Sequence, residues 1–544
     1  MIPGAPMSLS TLHRVVASLV RDGLANAVRD SRRLVVKTPG CTFRVLFEGP
    51  NPAFPHPREF RGGVIVGRRR VLQDPVELLE ISRLDWPPER IQAVCSELQS
   101  SVHHAATSAT FRRPAPRLGD PALAWEGAVV EGHPTHPGHR CRLGLSLTQA
   151  YLWGAEIGGF MDLCFVRPPR LQVHGPFWEL LEGWLPPDSF PVHPAQAILL
   201  GHAPEAMAHP ATVEQLRWTG LEPPTQQADH DHDHGHQHTV HAGPPVELPL
   251  HWIEARRRAW AQASLHTVCP QELPYHLKLS LGVTTPDTLC PHSVVNAPRV
   301  SALLERIAPE GLHVVRELAS ASLVHEDRAS ARPLSCIVRA DPERELEGEA
   351  LVLCAALVES DEAGQSLLPR VSDDPATFVH RYARLLLEAM LPLLRRGVAL
   401  GCNGQHTLAR FRDGELVGFA VRDFGGVRIH RPTLGEPLDL HPGSTADAAS
   451  LEQVWATAHH SLIQMHLGEI IRALEALHPG LATQAWAQVR ALVDEGLSGE
   501  AQAWWTAPTV PHRCFLRMRL DGSGRELTRP RLNPLVHLSS LPPA

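Results

Sequence analysis

Histidine, proline and arginine are concentrated in one short segment, residues 132–144. Prolines follow His133 and His136, and a proline disfavours the helical region for the residue before it, so this segment should be an extended, rigid loop. Such a loop would present His133, His136, Arg140 and Arg142 together. Arginine binds oxyanions bidentately and histidine can donate to a phosphate, which favours an anion site. Zinc is the weaker interpretation because two arginines would repel a cation. A rigid turn with solvated charges is the alternative.

Lysine occurs at only two positions, Lys37 and Lys278, in a chain with 51 lysines and arginines. A lysine that persists where arginine has taken nearly every basic position is a candidate for a role that needs a compact ammonium beside a phosphate or carboxylate oxygen. Residues 277–281 alternate between apolar and polar types, which predicts a strand with Lys278 and Ser280 on its polar face. We therefore interpret Lys278 as functional, with chance survival at the surface as the alternative. For Lys37 we adopt chance survival at the surface as the interpretation.

Two further polar segments flank a predicted β-hairpin. Asn403, Gln405 and His406 lie in a loop just before its first strand, and Asp423 closes its second strand and precedes two glycines. A carboxylate at a strand end beside a glycine turn is well placed to bind Mg²⁺ that carries a nucleotide phosphate. The alternative is an aspartate that only caps the turn.

Residues 229–241 alternate histidine with aspartate and are bracketed by proline pairs. The tract cannot bury apolar area, so we expect a disordered surface loop within an insert at 223–245. Neutral imidazoles suit Zn²⁺ or Ni²⁺, and the aspartates lower the local potential for a cation. The alternative is a solvated linker that binds metal only incidentally. The predicted ligands are His230, His232, His234, His236 and His238.

The composition excludes several classes of protein. The net charge of -7 does not suggest a nucleic-acid-binding face, and no apolar run is long enough to cross a membrane. The ten cysteines form no CxxC pair, which predicts reduced thiols in a cytoplasmic protein. Arg14 and Arg21 interrupt the first apolar stretch, so no signal peptide is expected.

Periodicity and turn signals predict the elements that must position these residues. Helices are expected over 12–29, 88–106, from Asp374 to Gly397, and over 450–477. Strands are expected at 34–36 and 63–66. A hairpin with the turn Asp413–Gly414 should join strands at 407–411 and 416–423.

Together the motifs resemble the IucA/IucC family, the NRPS-independent siderophore synthetases of the aerobactin-synthetase type. The resemblance rests on their order along most of the chain: the loop at 132–144, Phe190–Pro194, Leu277–Leu281, Asn296–Pro298, the Gly404–Gln405 loop, Arg422–Gly426 and Asn533–Leu535. It implies an α+β fold with thumb, fingers and a kinase-like palm. On that division the thumb-like region is 1–165, the fingers-like region 166–335 and the palm-like region 336–544.

The resemblance also implies a chemistry. Family members use ATP and Mg²⁺ to adenylate a polycarboxylate such as citrate, and an amine or hydroxyl then displaces AMP. They are cytosolic and often form homodimers. It implies catalytic roles for Lys278, His136 and Arg142 and a Mg²⁺ ligand in Asp423. The residues that it places at ATP are His133, Arg140, Ser280, Gln405, Asn403 and His406.

The chain departs from the family pattern in two places. Residues 282–290 lack the arginine that the family carries after the lysine strand, and Gly401 replaces a glutamate in the loop before the hairpin. Two hypotheses follow. The chain is a working ligase with an altered carboxylate pocket, or it is a degenerate homologue that binds a nucleotide or a partner and adenylates nothing.

Overall fold

The computed structural model describes most of the chain. The described residues are 7–49, 51–52, 54–168, 170–200, 202, 250–281, 291–323 and 334–538. The histidine-rich tract and residues 282–290 lie outside them. Helices and mainly antiparallel sheets alternate along the chain, which confirms the predicted α+β class.

The strands and helices are numbered here in chain order. The strands are β1 Asn26–Asp30, β2 Arg33–Lys37, β3 Thr42–Phe47, β4 Phe60–Val66, β5 Arg70–Leu72, β6 Met161–Arg167, β7 Leu171–His174, β8 Phe190–Val192, β9 His251–Ala261, β10 Thr267–Pro270, β11 Tyr275–Leu279, β12 Leu312–Val314, β13 Glu317–Leu323, β14 Ser335–Ala340, β15 Ala350–Leu353, β16 Val398–Ala399, β17 Thr407–Arg412, β18 Glu415–Val421, β19 Arg428–Ile429, β20 Thr509–Arg513 and β21 Thr528–Leu532. The helices are α1 Met7–Arg21, α2 Pro75–Ser82, α3 Pro88–Phe111, α4 Ala122–Gly127, α5 Leu147–Trp153, α6 Phe177–Leu180, α7 Pro194–Leu199, α8 Pro291–Ile307, α9 Pro342–Glu345, α10 Pro375–Arg395, α11 Arg431–Leu434, α12 Leu451–Ala458, α13 Gly468–Leu477, α14 Ala482–Gly496, α15 Gly499–Trp505, α16 Phe515–Asp521 and α17 Pro534–His537.

The N-terminal part is a five-stranded antiparallel sheet, β1 to β5 in sequence order, packed against α1, α2 and α3. The predicted strands at 34–36 and 63–66 and the helix over 88–106 are confirmed. The predicted helix over 12–29 is wrong in its second half. It ends at Arg21 because Gly23 adopts a left-handed φ of 68° and residues 26–30 pair with β2 instead.

An eight-stranded antiparallel sheet forms the middle of the molecule, in the order β7-β13-β14-β11-β10-β9-β6-β8. One face is apolar and carries Leu277, Leu279 and Val338 into a buried core. The opposite face is polar at its centre, with Lys278 on β11 and Arg339 on β14. The predicted domain boundary at 165/166 falls inside β6, since this sheet starts at Met161.

The C-terminal part packs α10 and the later helices on a four-stranded sheet, β12-β18-β17-β15. The helix predicted from Asp374 is confirmed, and the Asp374 side chain accepts a hydrogen bond from the Thr377 amide at its N-terminus. The predicted hairpin is also confirmed, with Asp413 and Gly414 at φ of 53° and 82°.

The helix predicted over 450–477 is continuous but not uniform. Its centre, His459–Leu467, is a π-helix whose nine residues are all buried. Wide π turns inside α-helices often occur at functional sites, because they turn side chains that a regular helix would direct elsewhere. Here the π turn directs His460 and Gln464 toward His512.

Within the described ranges no helix has both the length and the apolar character needed to cross a bilayer. None of the nine cysteines in those ranges forms a disulfide.

Candidate functional site

Lys278 and Asp423 form the centre of the candidate site. The Lys278 ammonium on β11 lies 2.6 Å from the Asp423 Oδ1. The side chains are only 5% and 13% exposed, so the pair lies in a region where charges interact more strongly than in water. The sequence predicted Lys278 and Asp423 separately, from different motifs, and the fold brings them into direct contact.

Asp423 follows β18 in a left-handed conformation, with φ of 66°. Its carboxylate makes no capping hydrogen bond to the turn at 424–426, so the turn-capping interpretation is not supported. Burial favours the neutral acid, but Lys278, His406 and Arg339 outweigh it and hold the pKa of Asp423 well below its usual range. The side chain is therefore an ionised carboxylate at neutral pH.

A second ion pair extends the site along the polar face of the large sheet. The Arg339 guanidinium lies 3.2 Å from Glu317 Oε1 and 3.6 Å from Asp423 Oδ2. Both Arg339 and Glu317 are almost completely buried. Arg339 therefore bridges two carboxylates, while Lys278 contacts the other oxygen of Asp423.

The predicted loop before the hairpin lies beside Asp423. The Asn403 side chain accepts hydrogen bonds from the amides of Gln405 and His406 and so stabilises its own turn. His406 Nδ1 donates to the Gly401 carbonyl at 3.1 Å, which leaves its Nε2 4.0 Å from Asp423 Oδ2. His406 is thus the member of this loop that directly faces the carboxylate.

Ser280 continues the line of β11 beyond Lys278. Its Oγ lies 2.6 Å from the Ser335 Oγ on the neighbouring strand. The predicted strand at 277–281 is confirmed as far as Leu279, and its polar face is buried rather than open to solvent. The reason is that α8 packs over β13 and β14 on this face and itself contacts the Phe424–Gly426 turn.

The loop at 132–144 holds both of its predicted arginines in contacts inside the protein. The Arg142 guanidinium lies 2.9 Å from Glu156, and Arg140 contacts Glu156 at 4.0 Å while donating to the Val130 carbonyl. Burial opposes ionisation of Glu156, but Arg142 and Arg140 outweigh it and lower its pKa to about 2. The positive charge of the loop is thus matched inside the protein.

The two predicted histidines of that loop pack on an aromatic ring. His133 and His136 lie 5.0 and 5.3 Å from the Phe515 ring, between centroids. Burial lowers the pKa of His136 well below 6.5, so its ring is neutral. No described contact of this loop reaches Lys278 or Asp423, and the described residues include no group of three metal-ligating side chains. The loop forms a cluster of its own.

One arginine next to the Lys278–Asp423 pair connects the candidate site to other parts of the chain. Arg422, next to Asp423, forms a bidentate ion pair with Glu126 of α4 and donates to Gln262 at 3.0 Å. It also donates to the Gln405 carbonyl at 3.0 Å. Arg422 therefore connects the hairpin, the loop before it and the N-terminal half of the chain.

Sequence reasoning missed Arg339, Glu317 and Glu126. One signal was available: Arg339 interrupts a six-residue strand, Ser335–Ala340, in which every residue is buried. A charged side chain in such a strand needs a partner of opposite charge. The identity of that partner could not be read from the sequence, because Glu317 lies 22 residues earlier.

Two family models match the chain. A model of the IucA/IucC family matches residues 227–359, which include β11, Glu317 and Arg339. A model described as "Ferric iron reductase FhuF-like transporter" matches residues 376–527, which include the hairpin and Asp423.

Several characterised proteins are similar over most of the chain. The NRPS-independent siderophore synthetase rfs of Rhizopus delemar is 28% identical over 79% of this chain and 68% of its own. The synthetase-like protein ankE of Aspergillus thermomutatus is 29% identical over 76% and 70%. D-ornithine–citrate ligase of Staphylococcus aureus is 24% identical over 84% and 79%.

Solved structures share the fold. The petrobactin biosynthesis protein AsbB of Bacillus anthracis superposes with a TM-score of 0.77 at 17% identity, over 98% of this chain and 95% of its own. The ATP-bound aerobactin synthetase IucA of Klebsiella pneumoniae superposes with a TM-score of 0.68 at 15% identity, over 97% and 99%.

Proposed function

We propose that this chain, which belongs to the IucA/IucC family, is an ATP-dependent siderophore or metallophore synthetase. It would join a citrate-like polycarboxylate to an amine or hydroxyl, with release of AMP and pyrophosphate. The names of its relatives support this class, since they are siderophore synthetases and a citrate ligase.

The observation that carries the proposal is the buried pair of Lys278 and Asp423 with His406 beside it. A reaction between ATP and a polycarboxylate brings two polyanions together, and this needs fixed positive charge in a partly dry site. Lys278 supplies a buried ammonium for that purpose. Ser280, Gln405 and Asn403 line the same region and are the proposed further contacts to the nucleotide.

The reaction proceeds in two steps. A carboxylate oxygen of the substrate attacks the α-phosphorus of ATP, the bond from that phosphorus to the bridging oxygen breaks, and pyrophosphate leaves. The amine or hydroxyl then attacks the acyl carbon, the acyl–oxygen bond to AMP breaks, and the nucleophile loses its proton. The protein contributes mainly by orienting the reactants and stabilising the developing charge.

Asp423 fits the role of a Mg²⁺ ligand. It is ionised, it lies at the end of a strand, and it has no capping role. Mg²⁺ commonly uses one or two carboxylates together with phosphate and water oxygens. The ion would supply positive charge against the phosphates when bound.

Asp423→Asn should raise the Mg²⁺ concentration needed for half-maximal nucleotide binding by roughly tenfold or more, because a contact to a charged group is worth about 1.5–3 kcal/mol. Titration calorimetry with ATP at several Mg²⁺ concentrations measures this. Asp413→Asn is the matched control, since Asp413 is an exposed aspartate in the same hairpin. An unchanged Mg²⁺ dependence in Asp423→Asn would make Asp423 structural only.

His133, His136, Arg140 and Arg142 are the further residues proposed to contact the anionic reactants, as the resemblance to the family implies. In the structure Arg140 and Arg142 pair with Glu156, and the His136 ring is neutral. A rigid turn packed on Phe515 is the alternative.

Pyrophosphate release tests the function as a whole. The full chain is incubated with ATP, Mg²⁺ and a panel of di- and tricarboxylates, and acyl-adenylates are trapped with hydroxylamine. Release above background with any carboxylate supports the ligase. Nucleotide binding without release for every carboxylate in the panel would support the degenerate homologue instead.

The histidine-rich tract should bind Zn²⁺ or Ni²⁺ with moderate affinity, because ordering a flexible segment costs roughly 1–2 kcal/mol per residue. The tract lies outside the described residues, so this stays a prediction from the sequence. Deleting residues 229–241 should abolish tight metal uptake and leave adenylation intact at low metal. Calorimetry measures the uptake, and equal zinc stoichiometry and affinity in the deletion variant would contradict it.

A cytoplasmic location and a homodimer complete the proposal. Both rest on the resemblance to the family. Fractionation of the producing cells and sedimentation of the purified chain test them separately.

A further inference from the structure

The site contains one buried ion network that the proposed reaction does not explain. Arg339 lies between Glu317 and Asp423, at 3.2 and 3.6 Å from a carboxylate oxygen of each. Burying charges is expensive, and a buried pair is often no more stabilising than apolar residues of similar volume. A network retained at this position needs a reason beyond stability.

The two cations beside the Asp423 carboxylate suggest a role for this ion network. Both oxygens of Asp423 have a cationic neighbour, Lys278 at Oδ1 and Arg339 at Oδ2. If the Lys278 ammonium turns its donors toward a reactant, its contact with Asp423 weakens. Arg339 is the cation that can stay.

Three features fix Arg339 in place. It lies directly opposite Glu317 in the pairing of β13 with β14, so both side chains are on the same face. The Glu317 amide donates to the Ser301 side chain of α8 at 2.9 Å, which positions the start of β13. One nitrogen of the guanidinium, Nη2, contacts both carboxylates, at the end of a side chain that is longer than that of lysine.

We propose that Arg339 is a positioning residue for Asp423 and that Glu317 orients Arg339. This inference rests on the proposed function, because it assigns Asp423 to a Mg²⁺–nucleotide complex. The second acidic residue that the resembled family carries in the loop before the hairpin is glycine here, Gly401. With that acid absent, a fixed orientation of the one remaining carboxylate becomes the main determinant of metal affinity at this site.

The test measures the Mg²⁺ dependence of ATP binding by calorimetry, together with the melting temperature. Arg339→Lys keeps the charge on a shorter side chain, so its ammonium should not reach both carboxylates. We expect it to raise the Mg²⁺ concentration for half-maximal ATP binding at least tenfold. Glu317→Gln should raise it about threefold, since Arg339 keeps its charge but loses its ionic partner. Arg316→Met is the matched control and should have no effect, because Arg316 pairs with Glu345 in a half-exposed surface ion pair.

A charge-balanced double variant separates positioning from stability. Arg339→Met alone leaves two carboxylates close together and should lower the melting temperature. Adding Glu317→Gln removes one of them and should recover most of the melting temperature, while the Mg²⁺ dependence stays impaired. Recovery of both properties in the double variant would overturn the inference, as would a wild-type Mg²⁺ dependence in Arg339→Lys.

The remaining outcomes are also decisive. Wild-type protein that binds ATP with no dependence on Mg²⁺, or that binds no ATP, overturns the inference. Wild-type protein that binds ATP in a Mg²⁺-dependent way but releases no pyrophosphate overturns the proposed function alone. In that case the variants still decide whether Arg339 positions Asp423.

Discussion

Lys278→Met should lower pyrophosphate release at saturating substrates by at least about 100-fold, the usual effect of removing one group that stabilises developing charge. The physical reason is that the methionine retains the length of the side chain but not its ammonium. The structure adds a cost in stability that the sequence did not suggest. Asp423 would lose its 2.6 Å partner and retain Arg339 and His406.

Two variants make this result interpretable. Lys37→Met replaces the other lysine of the chain, an exposed residue of β2, and should leave turnover unchanged. Lys278→Arg keeps the charge with a larger head group and should recover part of the turnover. A coupled assay of pyrophosphate release at saturating ATP measures the turnover of each variant. Wild-type turnover in Lys278→Met would show that its ammonium acts on Asp423 alone.

Elements with strong local signals were predictable. The helix at 375–395 has an aspartate cap and a proline at its start, a regular apolar stripe and a glycine beyond its end. The hairpin at 407–421 has a two-residue turn whose residue types fix its geometry. In both cases the information lies within about twenty residues of sequence.

Elements decided by distant contacts were not predictable. The apolar pattern of the first helix continues past Arg21, but residues 26–30 form a strand because they pair with β2. The charges at 132–144 looked available because Glu156, which matches them, is on a different segment. Lys278 and Asp423 were predicted as site residues from motifs in the sequence. Arg339 joins their site because β14 lies between β11 and β13 in the sheet, which the sequence did not reveal.

The pair of Arg422 and Glu126 is a buried contact whose loss should strongly destabilise the protein. The side chains are 5% and 2% exposed, and Glu126 also accepts a hydrogen bond from the Ala263 amide at 2.9 Å. Removing one partner of such a buried pair leaves an uncompensated charge that cannot reach water. Arg422→Met should therefore lower the free energy of unfolding by about 3–5 kcal/mol.

Urea denaturation followed by tryptophan fluorescence measures this effect. Arg384→Met is the matched control, because Arg384 pairs with Glu388 on an exposed helix face at 3.6 Å, and such surface pairs contribute less than about 1 kcal/mol. The double variant Arg422→Met with Glu126→Gln should recover part of the loss, since no charge is then left unpaired. Equal effects of Arg422→Met and Arg384→Met would contradict the argument. A large, recoverable loss would instead show that the segment carrying Asp423 is fixed to α4 by this ion pair, because Arg422 is the residue directly before that carboxylate.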